Sequence, residues 1–146
     1  MDVEILPPAE AFEMAIAVAP EDIDVMGHVN NVVYVRWIQD VAVAHWRAGA
    51  TREQQNAIAW VVVRHEIDYK RPAMPGDTVV ARTWVGTATA QTFERHTEIL
   101  RNGKVLVRAR TLWCPVDIGS GRPLRVPQQV RDRFSVPEAD AQPKEQ

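Results

Sequence analysis

Phe12, Met14, Ile16 and Val18 alternate with Glu13, Ala15 and Ala17, the two-residue period of a strand with one buried face. Pro20 ends this run, and a polar loop containing Gly27 follows. From residue 31 to residue 48 the spacing predicts a helix, with Asn30 as its N-cap and Gly49 marking its end. Arg36, Asp40 and Arg47 share one polar stripe, with Gln39 beside it. The other positions, Val32 to Val35, Trp37, Ile38, Val41 to Ala44 and Trp46, are apolar or aromatic. A helix apolar around most of its circumference is expected to be buried around most of it. In a chain this short, a sheet curling around the helix would achieve that.

Strand-like runs follow at 58–70, 78–85, 92–100 and 104–116. The first is expected to place Ala59, Val61, Val63, His65, Ile67 and Tyr69 on one face, with Arg64, Glu66, Asp68 and Lys70 on the other. The last places Val105, Val107, Ala109, Thr111 and Trp113 together. Pro72 and Pro75-Gly76-Asp77 form a break. Asn102-Gly103 reads as a tight hairpin turn, because both residues tolerate positive φ. A loop of Asp117, Gly119, Ser120 and Gly121 leads to Pro127, a first-turn residue for a short helix at 128–134. The predicted class is α+β: a curved antiparallel sheet of about five strands against one long helix. We expect one domain over 1–134 and a disordered tail over 135–146.

Composition narrows the function classes. A chain of 146 residues with 46% apolar and 25% charged positions suits one globular domain. A net charge of -2 argues against a nucleic-acid partner. Cys114, the single cysteine, excludes an intramolecular disulfide and fits a reducing, cytoplasmic compartment. It is expected to be a small buried apolar residue. Residues 1–11 show no basic start and no long apolar run, so no secretory signal is expected. No stretch approaches the roughly 20 apolar residues of a membrane span. His28, His45, His65 and His96 lack metal-ligand spacing and only one Cys is available, so no structural metal site is expected. There is no nucleophile elbow and no phosphate loop. Arg64, Lys70, Arg71 and Arg82 are candidate phosphate contacts, or equally ordinary solvated strand charges.

Between the first strand and the helix lie Asp22, Asp24, His28, Asn30 and Asn31. The first N–H groups of a helix have no internal partner and carry partial positive charge. They can stabilise a carbonyl oxygen as it becomes an oxyanion. A carboxylate a few residues upstream can direct water or attack. From spacing alone, Asp22, Asp24 and Asn30 read equally well as turn and cap residues, and His28 as a hydrogen-bonded loop histidine.

The segment Asp22-Ile23-Asp24-Val25-Met26-Gly27-His28-Val29-Asn30-Asn31-Val32-Val33-Tyr34 closely resembles the signature of the 4-hydroxybenzoyl-CoA thioesterase family, whose fold is the hotdog. Plant acyl-ACP thioesterases carry a similar segment. Ile67-Asp68-Tyr69-Lys70-Arg71-Pro72-Ala73 with Gly76-Asp77 is similar to a second family segment. Gly103-Lys104 and Gly121-Arg122-Pro123 fall where the family has turns.

The resemblance implies hydrolysis of an acyl-CoA or acyl-ACP thioester without a cofactor. It implies Asp24 as general base or nucleophile, and the Asn31 N–H as the group polarising the carbonyl. Gly27 would form the turn, His28 and Asn30 would shape the pocket, and Tyr34 would face the acyl channel or the core. Many members have Glu on the helix where this chain has Gln39 followed by Asp40, which favours the loop carboxylate. Homodimers or homotetramers are implied, with partner residues at each site. Three rivals stay open: an enoyl-CoA hydratase or dehydratase, a non-catalytic acyl-CoA sensor, and a structural subunit. The acyl group, the carrier, and the choice between general base and covalent route are not fixed by the sequence.

Overall fold

The computed structural model describes residues 11–135. The expected absence of a signal at 1–11 and the expected tail therefore lie outside the described residues, apart from Ala11 and Ser135. Strand β1 (Phe12–Ala17) leads through a short 3-10 turn (Pro20–Asp22) and a loop into helix α1 (Asn31–Gly49). Then come helix α2 (Arg52–Ala57) and strands β2 (Ile58–Tyr69), β3 (Thr78–Ala88), β4 (Phe93–Arg101) and β5 (Lys104–Asp117). Helix α3 (Gln128–Phe134) ends the described chain. All strand pairs are antiparallel, in the order β1-β3-β4-β5-β2. This is the α+β architecture predicted. The Asn102-Gly103 turn joins β4 to β5 with φ of 52° and 78°, the positive pair a two-residue hairpin needs.

Helix α1 lies on the inner face of the sheet. Val33, Tyr34, Trp37, Ile38, Val41 and Ala42 are buried there. Together with Val79, Ala81, Ile99, Val107 and Ala109 from the strands, all but Ala42 belong to one apolar cluster. The helix is covered on this stripe only: Val32 and Val43 remain 69% and 40% exposed. The expectation of burial around most of the circumference is thus not met within one chain, because a five-stranded sheet covers a single side. A second cluster lies toward the end of α1, built from Ile58, Val85, Phe93, Val126, Val130 and Phe134, with Trp46 and Trp60 packed against it.

Four further expectations are corrected. In β2 the pairing with β5 shifts between Val62 and Arg64, leaving Val63 as the extra residue of a bulge. Trp60 and Val62 face inward before it, and His65 and Ile67 after it; Val61 and Val63 are 48% and 56% exposed. The six residues expected on one face are therefore split between two. Gly49 is the last residue of α1, without positive φ. Its value is space: a Cβ there would lie 2.7 Å from the Phe134 ring. Pro127 is the N-cap of α3 and lies just outside it. Cys114 is half-buried and pairs across the sheet with exposed Val61. Helix α2 went unpredicted, although Thr51 and Gln54 cap it reciprocally, side chain to backbone.

One half-buried histidine makes the fold acid-sensitive. His45 stacks on Phe12 and meets Phe134 edge-on, while its Nδ1 accepts from Arg95 Nη1 at 2.9 Å. Burial, then the neighbouring Arg95 and Arg133, push its pKa down to about 3. Its unfolded value is near 6.5, so below that pH the unfolded chain binds the extra proton and folding weakens. The ring is only partly buried, so we expect a loss of about 2 kcal/mol between pH 6.5 and pH 4, below the full value of the shift. Glu94, held at about 2 by His96 and Arg110 against the cost of burial, adds a loss of the same sign only below its usual range near 4.5. Urea denaturation at pH 7 and pH 5.5 therefore reads the histidines, His45 together with His65, whose pKa burial also lowers. The slope between those two pH values should flatten in His45→Gln.

Candidate active site

The loop between β1 and α1 is fastened at both ends. Ile23 and Val29 form an isolated antiparallel bridge, and Asp24 N–H donates to the His28 carbonyl at 2.7 Å. Gly27 N–H donates to the Asp24 carbonyl at 3.0 Å. The tight return this makes requires φ of +80° at Gly27, where a side chain would be strained. Asp22 is 2% exposed. Its carboxylate accepts from Ala19 N–H at 2.9 Å and from Arg36 of α1 at 3.0 Å. Asn30 N–H donates to the Asp22 carbonyl at 2.9 Å. Asp22 is therefore the anchor that ties the loop to the helix, a role the sequence left unassigned.

Asp24 is half-buried. Its Oδ1 accepts from Met26 N–H at 2.9 Å and from His28 N–H at 3.2 Å. Among the described residues Oδ2 has no hydrogen-bond partner. At the helix start, the Asn30 side chain accepts from Val32 N–H at 3.2 Å, and the Asn30 carbonyl accepts from Val33 N–H at 2.9 Å. The N–H of Asn31 is left without a partner among the described residues. One oriented carboxylate oxygen and one helix-start donor are thus both free, at the two ends of a loop closed by backbone hydrogen bonds.

The second motif builds the support for this loop. Ala73 is fully buried; its carbonyl accepts from Val29 N–H at 3.0 Å, and its N–H donates to the Tyr34 hydroxyl at 2.8 Å. Tyr34 is 2% exposed and packs edge-on against Trp37 and Tyr69. Of its two expected surroundings the core is the one observed. Burial raises its pKa. Tyr69 donates to the Asn31 carbonyl at 3.4 Å, a contact sequence reading missed. Arg101 donates to Asp77 at 2.6 Å and to the Pro72 carbonyl, closing the turn.

The remaining candidates are spread out. His28 is half-buried in the loop, and Asn30 is exposed as the cap. Arg64, Lys70 and Arg71 are exposed. Arg64 pairs with Glu66 at 2.6 Å, and Arg71 donates to the Val105 carbonyl at 3.1 Å. Arg82 is engaged on the outer face of the sheet by Glu98 at 2.9 Å. Among the described residues no three His, Cys, Asp or Glu side chains gather as a metal site. No helix there is long and apolar enough to cross a membrane.

Comparison with known proteins places the chain in a family. The chain is 25% identical over 127 residues to an acyl-CoA thioesterase, YbgC, of Haemophilus influenzae, covering 84% of this chain and 93% of that one. It is 29% identical over 106 residues to a chloroplastic palmitoyl-acyl carrier protein thioesterase of Gossypium hirsutum, covering 64% of this chain. The matches span only 25% of that plant protein and 19% of an acyl-ACP hydrolase of Cuphea viscosissima. Among solved structures, a thioesterase complexed with coenzyme A and Zn from Thermus thermophilus superposes with a TM-score of 0.74 at 23% identity, covering 84% of this chain and 90% of that one. A probable thioesterase from Bartonella henselae gives 0.71 at 21% identity, over 80% and 99%. The fold is therefore that of the hotdog thioesterases, as expected. The model of the thioesterase-like superfamily matches residues 18–134, a span that takes in the fastened loop, α1 and β2 to β5, and the chain belongs to that superfamily.

Proposed function

We propose that the chain hydrolyses acyl thioesters carried on coenzyme A or on an acyl carrier protein. The observation that carries this reading is the unpartnered Asn31 N–H at the start of α1, facing no acceptor of its own while Asp24 keeps one carboxylate oxygen free. The thioester carbonyl oxygen accepts from Asn31 N–H, which stabilises the negative charge that develops there. Asp24 Oδ2 takes a proton from water as the new C–O bond forms, or attacks the carbon directly. The C–S bond then breaks and the thiolate leaves, to be protonated; on the direct route water then cleaves the resulting anhydride, releasing the acid and restoring the Asp24 carboxylate. Gly27 holds the turn, His28 and Asn30 line the mouth, and Tyr34 acts through Ala73 by fixing the loop's support. Arg64, Lys70 and Arg71 are the exposed cations available to carrier phosphates. We also propose that two copies pair along β2: it is a twelve-residue edge strand with Val61 and Val63 exposed, a surface that invites another strand.

The test exploits the backbone. Asn31 is the first helical residue, and Asn30 before it is extended with ψ of 139°. Proline is well tolerated in such a place, yet has no N–H. Asn31→Pro should keep the fold while kcat on the best acyl-CoA of a panel falls roughly 10²- to 10³-fold, the usual effect of losing one oxyanion donor. Turnover within a factor of three of the parent would remove Asn31 from the mechanism.

A further inference from the structure

Away from the loop, a cavity of about 350 Å³ opens between the second half of α1 and the inner face of β2, β4 and β5. Its α1 residues begin at Ala42, roughly 16 Å along the helix axis from Asn31 at 1.5 Å per residue. Trp46, Trp60, Phe93, Trp113 and Phe134 form its walls. Trp60 stacks on Phe93 with centroids 5.6 Å apart, and Trp46 meets Trp60 edge-on at 5.4 Å. A dry apolar cavity of roughly 150 Å³ accepts a benzene ring; this one has room for a ring with a short chain.

Four polar residues share the lining, Arg47, Gln55, Asn56 and Arg95, and of these only Arg95 is buried. Arg95 is 7% exposed, in phase with Phe93 and Thr97 on the inner face of β4. Its Nη1 donates to His45 Nδ1 and, at 3.1 Å, to the Thr83 hydroxyl. Both acceptors are uncharged, since His45 titrates only near 3. Among the described residues no carboxylate lies within ion-pair distance of Arg95, and its Nε and Nη2 donate to nothing. The other buried charges are paired: Asp22 with Arg36, and Glu98 with Arg82 and Arg108. A buried guanidinium without an anion is costly to keep. The indole N–H groups of Trp60 and Trp113 are also buried without acceptors.

We infer that this cavity binds a carboxylate on an apolar or aromatic body, the carboxylate on the Arg95 fork and the body between Trp46, Trp60 and Trp113. The planar fork suits a carboxylate, and a singly charged head is easier to strip of water among indoles than a phosphate. The carboxylate has two possible sources: a free organic acid, or the far end of an acyl group whose thioester lies elsewhere. The second source rests on the proposed hydrolysis; the first does not.

Tryptophan fluorescence of the full chain, titrated with 4-phenylbutyrate and with 4-phenylbutanol, tests the inference. The acid should give a saturable change at a concentration at least tenfold below the alcohol. Arg95→Met should lose that preference without lowering the melting temperature of the free protein, because it removes an uncompensated charge. A purely structural arginine would lower it. Val43→Phe, on the exposed flank of α1 where it borders the cavity, should block both ligands and leave folding unchanged. Equal binding of acid and alcohol, unchanged acid binding in Arg95→Met, or no binding of either ligand overturns the inference. The source is separated by KM: an acyl-CoA ending in a carboxylate should outperform its methyl-ended analogue only if the acyl end sits on Arg95, and Arg95→Met should then erase the difference. Absence of any thioester turnover would sink the hydrolytic reading and leave the fluorescence result to stand or fall alone.

Discussion

Asp24→Asn should lower kcat on an acyl-CoA substrate by roughly 10²- to 10⁴-fold, the range for loss of a positioned base, while leaving the melting temperature near that of the parent. The two halves of this expectation come from different oxygens. Oδ1 accepts from Met26 and His28 N–H groups, and an asparagine carbonyl can accept both. Oδ2 is the atom that asparagine replaces with an amide nitrogen, which can neither take a proton from water nor attack. The loop should therefore keep its shape and lose its chemistry, with KM little changed. Asp24→Ala would lose the two loop hydrogen bonds as well, so a larger drop in stability for Ala than for Asn checks the division of labour. Near-parental turnover by Asp24→Asn, with thiol release followed directly, would show that the reaction uses another group. Single-turnover hydrolysis in labelled water separates the two routes for Asp24: label within its carboxylate marks the covalent one.

Glu98→Ala should destabilise the fold by about 3 kcal/mol, lowering the melting temperature by roughly 10 °C for a chain of this length. Glu98 is 2% exposed on the outer face of β4. Its Oε1 accepts from Arg82 Nε and Nη2, both at 2.9 Å, and its Oε2 from Arg108 Nε and Nη2, both at 3.0 Å. The three residues are cross-strand neighbours, Arg82 opposite Glu98 and Glu98 opposite Arg108. Removing the carboxylate leaves two guanidinium groups facing a central strand with the shared acceptor gone. Exposed ion pairs are worth little, about 0–1 kcal/mol, so a loss below 1 kcal/mol in chemical denaturation would mean that this ladder behaves as surface. Thioester turnover should not change at temperatures where the variant is folded.

The sequence revealed the strands and the long helix because each has one consistently apolar side. β5 alternates cleanly from Val107 to Val116, and its turn with β4 carries the two residues that accept positive φ. The loop was legible because its motif is local: cap, turn glycine and carboxylate all lie within a few residues. What escaped is what depends on distant partners. Asp22 looked like a loop acid until Arg36, fourteen positions later, was seen against it. Gly49 looked like a helix stop until Phe134 filled its missing side chain. Arg95 carried a signal that was available, an arginine in phase with Phe93, Thr97 and Ile99. Its meaning needed the aromatic rings of β2, β5 and α1 that surround it. The apolar count of α1 exceeds what one five-stranded sheet covers, and the excess, Val32 and Val43, stays exposed in the single chain.

The extra residue at Val63 gives β2 two phases. Pairing with β5 runs in step on either side of it, from Ile58 to Val62 and from Arg64 to Tyr69. Were Val63 instead paired as a regular ladder residue, one half of the strand would turn its inner residues to solvent. The bulge works as a clutch between two gears. It lets Ile67 serve the core under the loop while Trp60 serves the aromatic cavity. Changes at one end of β2 need not be answered at the other, so the core under the loop and the cavity floor are free to vary independently within a single strand.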